Sequence, residues 1–208
     1  MKHKLQVIRT AHYFHEPAEG SSKGIIIAIH GYAQLAGDFI NEFRELTTSG
    51  YDIYAPEALS KFYNKEQKPV ANWMTSYERE DEINDYINYL EKFIQSIVTS
   101  NPLLPIHLIG FSQGVSTLLR WFVTSAIMVE SIHLIAGSIP EEFSSTNFKQ
   151  LIARKYYYYY GTQDRLINTN KINAYLEHLT AIGIPYSFVS FEGRHEVPKQ
   201  LLEHFKNS

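Results

Sequence analysis

The strongest constraint on the fold of this chain is a turn at residues 110–114, Gly-Phe-Ser-Gln-Gly, which fits the pattern Gly-x-Ser-x-Gly. A short apolar run at 106–109 comes directly before it, and apolar residues at helical spacing follow at 115–122. The order is strand, sharp turn and helix, which lifts the hydroxyl of Ser112 above the edge of a sheet. The flanking glycines let the backbone bend without a Cβ clash. A purely structural turn is the alternative.

Composition limits the classes of protein that this chain can belong to. Its 208 residues are enough for one domain with a large core, so we expect a single domain over residues 1–208. The net charge is −3 and the basic residues are scattered, which does not favour a nucleic-acid partner. There is no cysteine, so disulfides, thiolate catalysis and cysteine metal sites are excluded.

The sequence also bears on where the protein works. Residues 1–9 lack the apolar core of a signal peptide, and no apolar stretch approaches the length of a membrane span. We therefore expect a cytoplasmic protein without a membrane span. No metal-ligand spacing stands out, and we expect no cofactor.

Apolar patterns predict an alternation of strands and helices along the chain. Strands are predicted at 5–14 (a strand or hairpin), 24–30, 51–55, 106–109, 131–136, 156–160 and 186–191. Helices with one apolar face are predicted around 39–46, 83–97, 115–122, 172–179 and 201–205, the second behind a capping box at 75–78. Repeated strand–helix units favour a parallel sheet covered on both faces, with a site at the carboxyl ends of its strands.

Two segments have an additional interpretation. Five consecutive tyrosines at 156–160 could form a binding patch, but a buried strand with alternate rings on opposite faces is favoured. The stretch 57–74 is the one long irregular segment, and it should reach the rim of the site. There Phe62, Tyr63 and Trp73 could form part of a lid or acyl pocket; the alternative is a surface loop anchored by one tryptophan.

A serine hydroxyl is a weak nucleophile and needs a base that is oriented by an acid. In this architecture the acid and then the base follow the serine along the chain. Asp164 directly follows the tyrosine-rich strand, so it lies at a strand's carboxyl end and is the predicted acid. Its alternative roles are to cap the helix that begins near Asn168 or to pair with Arg165. The other candidate acids are Glu141 and Glu142.

His195 is the predicted base because it is the one histidine in a loop after the last strand. Five histidines precede Ser112, one lies within a strand and two lie within predicted helices: His3, His12, His15, His30, His107, His133, His178 and His204. A surface histidine in a turn is the alternative for His195.

The negative charge of a tetrahedral intermediate needs two hydrogen-bond donors. One should be the backbone N–H of Gln113, at the start of the helix that follows the serine, where the helix dipole also favours an anion. The loop after the 24–30 strand should supply the other, which we assign to the backbone N–H of Tyr32. The ring of His30 is expected to be a structural hydrogen-bonding group.

These segments resemble a known family. The His-Gly pair at 30–31 and the motifs Gly-Phe-Ser-Gln-Gly at 110–114, Gly-Thr-Gln-Asp at 161–164 and Gly-Arg-His-Glu at 193–196 are similar to those of the α/β-hydrolases. Within them, the likeness is to the phospholipase/carboxylesterase group that includes acyl-protein thioesterases. It implies an α/β-hydrolase fold, with a mostly parallel central sheet, helices on both faces and little or no cap domain.

The resemblance also implies an activity and its residues. In that family a Ser-Asp-His triad and two loop amides act on esters or thioesters, and the matching positions are Ser112, Asp164, His195, Tyr32 and Gln113. The expected partner is a small-molecule ester or thioester, and exposed aromatics make a homodimer an option. Other hydrolase chemistry, such as that of dienelactone hydrolases or peptidases, and a non-catalytic binding protein are the alternatives.

Departures from the family pattern fall around the pocket. The thioesterases carry Gly-Leu-Gly where residues 31–33 are Gly-Tyr-Ala, and Arg194 stands where a small residue commonly precedes the histidine. Arg194 could favour an anionic acyl group, or it could be a solvated side chain. Together with Phe62 and Trp73 it completes the set of candidate substrate contacts.

Overall fold

The computed structural model describes residues 1–143, 153–167, 169–181, 183 and 186–207, and a seven-stranded sheet is its frame. The nine strands of the described residues are β1 (Tyr13–Glu16), β2 (Gly24–Ile29), β3 (Tyr51–Pro56), β4 (Ser60–Tyr63), β5 (Pro69–Asn72), β6 (Ile106–Phe111), β7 (Val129–Ile135), β8 (Ala153–Gly161) and β9 (Tyr186–Phe191). The main sheet has the order β1-β3-β2-β6-β7-β8-β9. Only β1 runs antiparallel to its neighbour, so the mostly parallel sheet is confirmed.

The helices follow strands, as the apolar patterns predict. They are α1 (Ala36–Phe39), a 3-10 helix (Ile40–Leu46), α2 (Arg79–Ser100), α3 (Gln113–Phe122), α4 (Thr169–Ala181) and α5 (Lys199–Lys206). Asn168 and the side chains of Tyr175 and His178 lie outside the described residues, so the expectations for them are not addressed. No helix in the described ranges is long and apolar enough to cross a membrane.

The core lies on both faces of the sheet. One cluster joins the sheet to α2 and α3 through Leu90, Ile94 and Leu118, and the other includes Phe43 and Phe205 on the opposite face. The strands divide their side chains between the two clusters because successive residues point to opposite faces.

The tyrosine-rich strand shows this division clearly. Tyr156 and Tyr158 pack with the first cluster, and Tyr157 and Tyr159 pack with the second. The prediction of a buried strand with alternating rings is therefore confirmed.

Three details of the expected secondary structure are wrong. The first strand begins at Tyr13, and residues 1–12 form no regular element. The helix expected around 39–46 is mostly a tight 3-10 helix. The capping box is absent: Glu78 adopts a left-handed conformation with φ 54° and its side chain makes no capping hydrogen bond, while Glu82 accepts hydrogen bonds from both Thr75 N–H and Thr75 Oγ1.

The stretch 57–74 is not irregular. It contains an antiparallel hairpin of β4 and β5, which we call the rim hairpin. Its tip is closed by Asn64, whose Oδ1 accepts hydrogen bonds from the backbone N–H groups of Glu66 and Lys68 at 3.0 and 2.9 Å. An Asn side chain that bonds nearby backbone groups forms a turn locally. The apolar pattern does not include such polar turn residues, so it did not predict this hairpin.

Candidate active site

Ser112 has a strained backbone at the carboxyl end of β6. Its φ of 52° and ψ of −118° lie in a region that side chains rarely adopt. The backbone N–H of Ser112 donates to Ile135 O on β7 at 2.9 Å, which fixes the turn against the neighbouring strand. A Cβ atom on Gly114 would lie 2.2 Å from Ile29 O. Glycine is therefore required there because α3 begins against the end of β2.

Asp164 and His195 form a hydrogen-bonded pair above the ends of β8 and β9. His195 Nδ1 lies 2.7 Å from Asp164 Oδ2, and the Asp164 side chain is fully buried. Asp164 Oδ1 accepts the backbone N–H groups of Leu166 and Ile167 at 2.8 and 3.3 Å. One oxygen of the carboxylate therefore accepts hydrogen bonds from the turn that follows Asp164, and the other orients the imidazole. Since an ionised carboxylate only accepts, Nδ1 carries the proton and Nε2 is left free to act as a base.

Backbone contacts hold the loops of Asp164 and His195 together. Gln163 N–H donates to Gly193 O, and Thr162 N–H donates to Phe191 O, both at 2.9 Å. A Cβ atom on Gly161 would lie 2.3 Å from Arg194 O. The glycines of these two motifs therefore allow a close approach that places Asp164 against His195.

His195 lies beside the residue that precedes the serine. Its ring centroid is 4.9 Å from that of Phe111. Among the described residues, the hydrogen bond of the His195 ring is the one to Asp164, and none joins it to Ser112 Oγ. Catalytic hydrogen bonds are often loose without substrate and tighten in the Michaelis complex.

Two backbone N–H groups next to Ser112 are available to an anion. Those of Tyr32 and Gln113 have no acceptor among the described residues. On either side of Tyr32 the loop is fixed, because Gly31 N–H donates to Gln34 Oε1 at 2.7 Å and Ala33 N–H donates to Ala71 O at 2.9 Å. A Cβ atom on Gly31 would lie 3.1 Å from Ser112 Cβ, so this loop packs directly against Ser112.

His30 has the structural role that was expected. It is fully buried, its Nδ1 donates to Gly31 O at 2.8 Å and its Nε2 accepts Ala58 N–H at 3.1 Å. Burial lowers its pKa to about 4. A neutral ring with both nitrogens occupied by backbone partners holds the loop and is not free to act as a base.

The alternative acids lie elsewhere. Arg120 Nε donates to Glu142 Oε1 at 2.6 Å, and Arg79 bonds the same carboxylate at 3.3 Å. Burial opposes ionisation of Glu142, but the Arg120 hydrogen bond outweighs it and the pKa falls to about 2. Glu141 is exposed. Of the three candidate acids, only Asp164 contacts His195.

The candidate substrate contacts are in different surroundings. Phe62, on the rim hairpin, is half-buried, and its ring centroid lies 5.6 Å from that of exposed Tyr32. Arg194 is exposed, and its side chain has no ion pair or hydrogen bond within the described ranges. Trp73 is only 2% exposed, and its Nε1 donates to His30 O at 2.9 Å. The structure therefore corrects the expectation of a pocket wall at Trp73: it is a core anchor, in line with the stated alternative.

One feature of the site was not expected from the sequence. The side chain of Gln113, and not only its backbone, contacts the end of the rim hairpin at residues 72–74. The partners are about forty positions away along the chain, and a lone amide side chain leaves no periodic signal that would reveal them.

Comparisons with known proteins agree with this geometry. The sequence matches the family model described as Phospholipase/Carboxylesterase over residues 16–208. No curated protein matches it. Among solved structures it is similar to esterase PE8 (TM-score 0.74, 18% identity, covering 96% of this chain and 97% of that one). It is also similar to Zea mays acyl-protein thioesterase 2 (TM-score 0.71, 16% identity, 95% and 97%) and to Arabidopsis thaliana SOBER1 (TM-score 0.66, 16% identity, 88% and 96%).

At these identities the solved structures establish the fold, an α/β-hydrolase type with a mostly parallel sheet. The family model covers nearly the whole chain and includes the serine, aspartate and histidine loops. The four short motifs, the strand order of the sheet and the family match all indicate the same family. The chain belongs to the phospholipase/carboxylesterase family.

Proposed function

We propose that this protein is a serine hydrolase that cleaves carboxylic esters or thioesters through an acyl-enzyme on Ser112. The observation that carries the proposal is the hydrogen bond of 2.7 Å between the buried carboxylate of Asp164 and the partly exposed ring of His195. It orients the ring of His195, which lies against Phe111, the residue before a serine whose two neighbouring N–H groups have no acceptor among the described residues. This combination supplies a base, a nucleophile and an anion site without a cofactor.

Acylation uses all three parts. Ser112 Oγ attacks the acyl carbon, and its proton passes to His195 Nε2. The carbonyl oxygen becomes an oxyanion that accepts the N–H groups of Tyr32 and Gln113. The tetrahedral adduct then collapses, the bond to the leaving oxygen or sulfur breaks, and His195 returns the proton to the leaving group.

Deacylation repeats these steps with water. His195 takes a proton from the water as it attacks the acyl carbon, and the collapsing adduct releases the acid and regenerates Ser112. Asp164 supports both halves because its carboxylate stabilises the imidazolium that forms each time.

The side chains around this centre suggest the acyl region. Phe62 contacts Tyr32, a residue of the loop that would bind the oxyanion, with the two ring centroids 5.6 Å apart. We infer that this pair contacts an apolar acyl or aryl group, and that exposed Arg194, next to the base, contacts substrates with an anionic substituent.

Labelling with a fluorophosphonate and turnover of a p-nitrophenyl ester series from acetate to decanoate, with a matching thioester, test the proposal. We expect the label on Ser112, turnover of both classes, and no label or turnover in Ser112→Ala. Because a protonated imidazole cannot accept a proton, kcat/KM should fall as the pH is lowered. A folded protein that neither reacts with the probe nor turns over an ester would contradict the proposal.

A further inference from the structure

The side-chain amide of Gln113 is bonded on every side by one short segment, residues 72–74 at the end of the rim hairpin. Its Nε2 donates to Asn72 Oδ1 at 2.8 Å and to Met74 O at 2.9 Å. Its Oε1 accepts the backbone N–H of Trp73 at 3.2 Å. Both amide hydrogens and the carbonyl oxygen are therefore used.

Backbone partners fix the orientation of this amide. Trp73 N–H can only donate and Met74 O can only accept, so a flipped amide would face donor with donor and acceptor with acceptor. Asn72 and Trp73 are 4% and 2% exposed, which leaves little access for water to replace a missing partner. A side chain in this position must carry a donor and an acceptor to satisfy the segment.

Residues 71 and 73, at the same end of the rim hairpin, also contact the loop that contains Tyr32. Ala71 O accepts Ala33 N–H at 2.9 Å, and Ala71 N–H donates to Gln34 O at 3.2 Å. The Trp73 ring nitrogen donates to His30 O at 2.9 Å. These contacts lie on both sides of Tyr32, whose N–H is the second donor of the proposed anion site.

We propose that the Gln113 side chain is a positioning residue that sets the spacing of the two oxyanion donors. Its own backbone supplies one donor, and through residues 71–74 its side chain is tied to the loop that supplies the other. The inference depends on the proposed function in its catalytic part, because the distance between the donors affects the rate only if an oxyanion forms there.

A fixed spacing of the two donors should stabilise the transition state more than the bound substrate. An oxyanion donor contributes about 10²- to 10³-fold to kcat, and a displacement of about 1 Å can cost about 10²-fold. Substrate binding through apolar contacts does not depend on this spacing. Loss of the Gln113 amide should therefore lower kcat by about ten- to a hundredfold while KM changes by less than about twofold.

The experiment compares Gln113→Ala and the isosteric Gln113→Glu with Asn64→Ala. Glutamate keeps the acceptor for Trp73 N–H and loses both donors. Asn64→Ala removes two hydrogen bonds from the same hairpin at its far end. Rates are expressed per site titrated with the fluorophosphonate, so that loss of folded protein does not count as loss of kcat.

We expect kcat per titrated site to fall in both Gln113 variants and to stay within about twofold in Asn64→Ala. A trifluoromethyl ketone adds to the serine and places an oxyanion between the donors. In the Gln113 variants the affinity for this inhibitor should fall by the same factor as kcat/KM. An unchanged kcat and unchanged ketone affinity in both Gln113 variants would overturn the inference. An equal fall in Asn64→Ala would do so too, since any loosening of the hairpin would then suffice.

Amide hydrogen exchange gives a readout that does not need turnover. Exchange at residues 31–34 and at Trp73 should be faster in the Gln113 variants than in the parent and in Asn64→Ala. If the parent protein proved inactive, the proposed hydrolysis would fail, and exchange would still decide the inference: unchanged protection at 31–34 would refute it.

Discussion

At the scale of single residues, the site combines strain with support from fixed neighbours. Ser112 has a positive φ that only its surroundings maintain: a hydrogen bond to β7, glycines at 110 and 114, and the loop of Gly31 against its Cβ. Such conformations cost about 1–3 kcal/mol, which the rest of the fold has to offset. Ser112 is only partly buried, and these contacts fix its backbone conformation at the end of β6.

Replacing Ser112 by glycine should therefore stabilise the fold while it removes activity. Glycine adopts the φ of 52° and ψ of −118° without a Cβ penalty, whereas alanine keeps the penalty. We expect Ser112→Gly to be more stable than Ser112→Ala by about 1 kcal/mol in chemical denaturation, with ester turnover lost in both. Equal stability of the two variants would indicate that the turn is not strained.

At the scale of elements, the residues of the candidate site come from the carboxyl ends of strands that lie at different places in the chain. Tyr32 follows β2, Ser112 follows β6, Asp164 follows β8 and His195 follows β9. Parallel strands bring these ends to one edge of the sheet, which is why position along the chain was enough to predict that Asp164 and His195 lie close together. The strands and most helices were predictable because apolar periodicity is a local property of the sequence.

The close contact of the β8 and β9 loops gives a prediction at this scale. Gly161→Ala would put a Cβ atom 2.3 Å from Arg194 O, and backbone cannot move aside as a flexible side chain can. We expect a loss of about 1–3 kcal/mol and a fall in kcat of at least about tenfold, because the Asp164–His195 pair would separate.

Gly37→Ala is the matched control for that variant. Its new Cβ would meet the ring of Phe14 at 2.9 Å, and that ring is 42% exposed and can turn away. Activity of Gly37→Ala should match the parent protein. Normal kcat in Gly161→Ala, measured by ester turnover per titrated site, would show that the two loops tolerate separation.

At the scale of the whole molecule, buried histidines make the fold sensitive to acid. His107 Nδ1 lies 2.7 Å from Ser131 Oγ, and Ser131 Oγ lies 2.7 Å from His133 Nε2, inside the core. Burial, together with His204, Lys155 and Lys23, lowers the pKa of His107 to about 4, and burial puts that of His133 well below the ordinary value. His30 has a pKa of about 4 for the same main reason.

These shifts predict that stability falls as the pH is lowered. The unfolded chain binds protons at these histidines below about pH 6.5, whereas the folded protein binds them at His30 and His107 only near pH 4. Stability should be full above about pH 6.5 and should decline from there to about pH 4, by an amount on the order of a few kcal/mol per histidine. Urea denaturation across this range measures the decline.

The non-titrating variant His107→Gln is the control for acid sensitivity. Its amide can still bond Ser131, so its stability should depend less steeply on pH than that of the parent protein. The same pH slope in both proteins would mean that His107 does not contribute to the acid sensitivity.

Local patterns in the sequence were enough to predict the turn around Ser112, the strand–helix order, and the loops that hold Asp164 and His195. The partners of polar groups and large side chains became visible only in the folded chain. There the 57–74 stretch contains a hairpin, Trp73 anchors that hairpin to His30, and the Gln113 side chain bonds its end. Periodicity and turn chemistry depend on residues that are close in sequence. A hydrogen bond between residues about forty positions apart depends on how the whole sheet is assembled, so the local pattern does not reveal it.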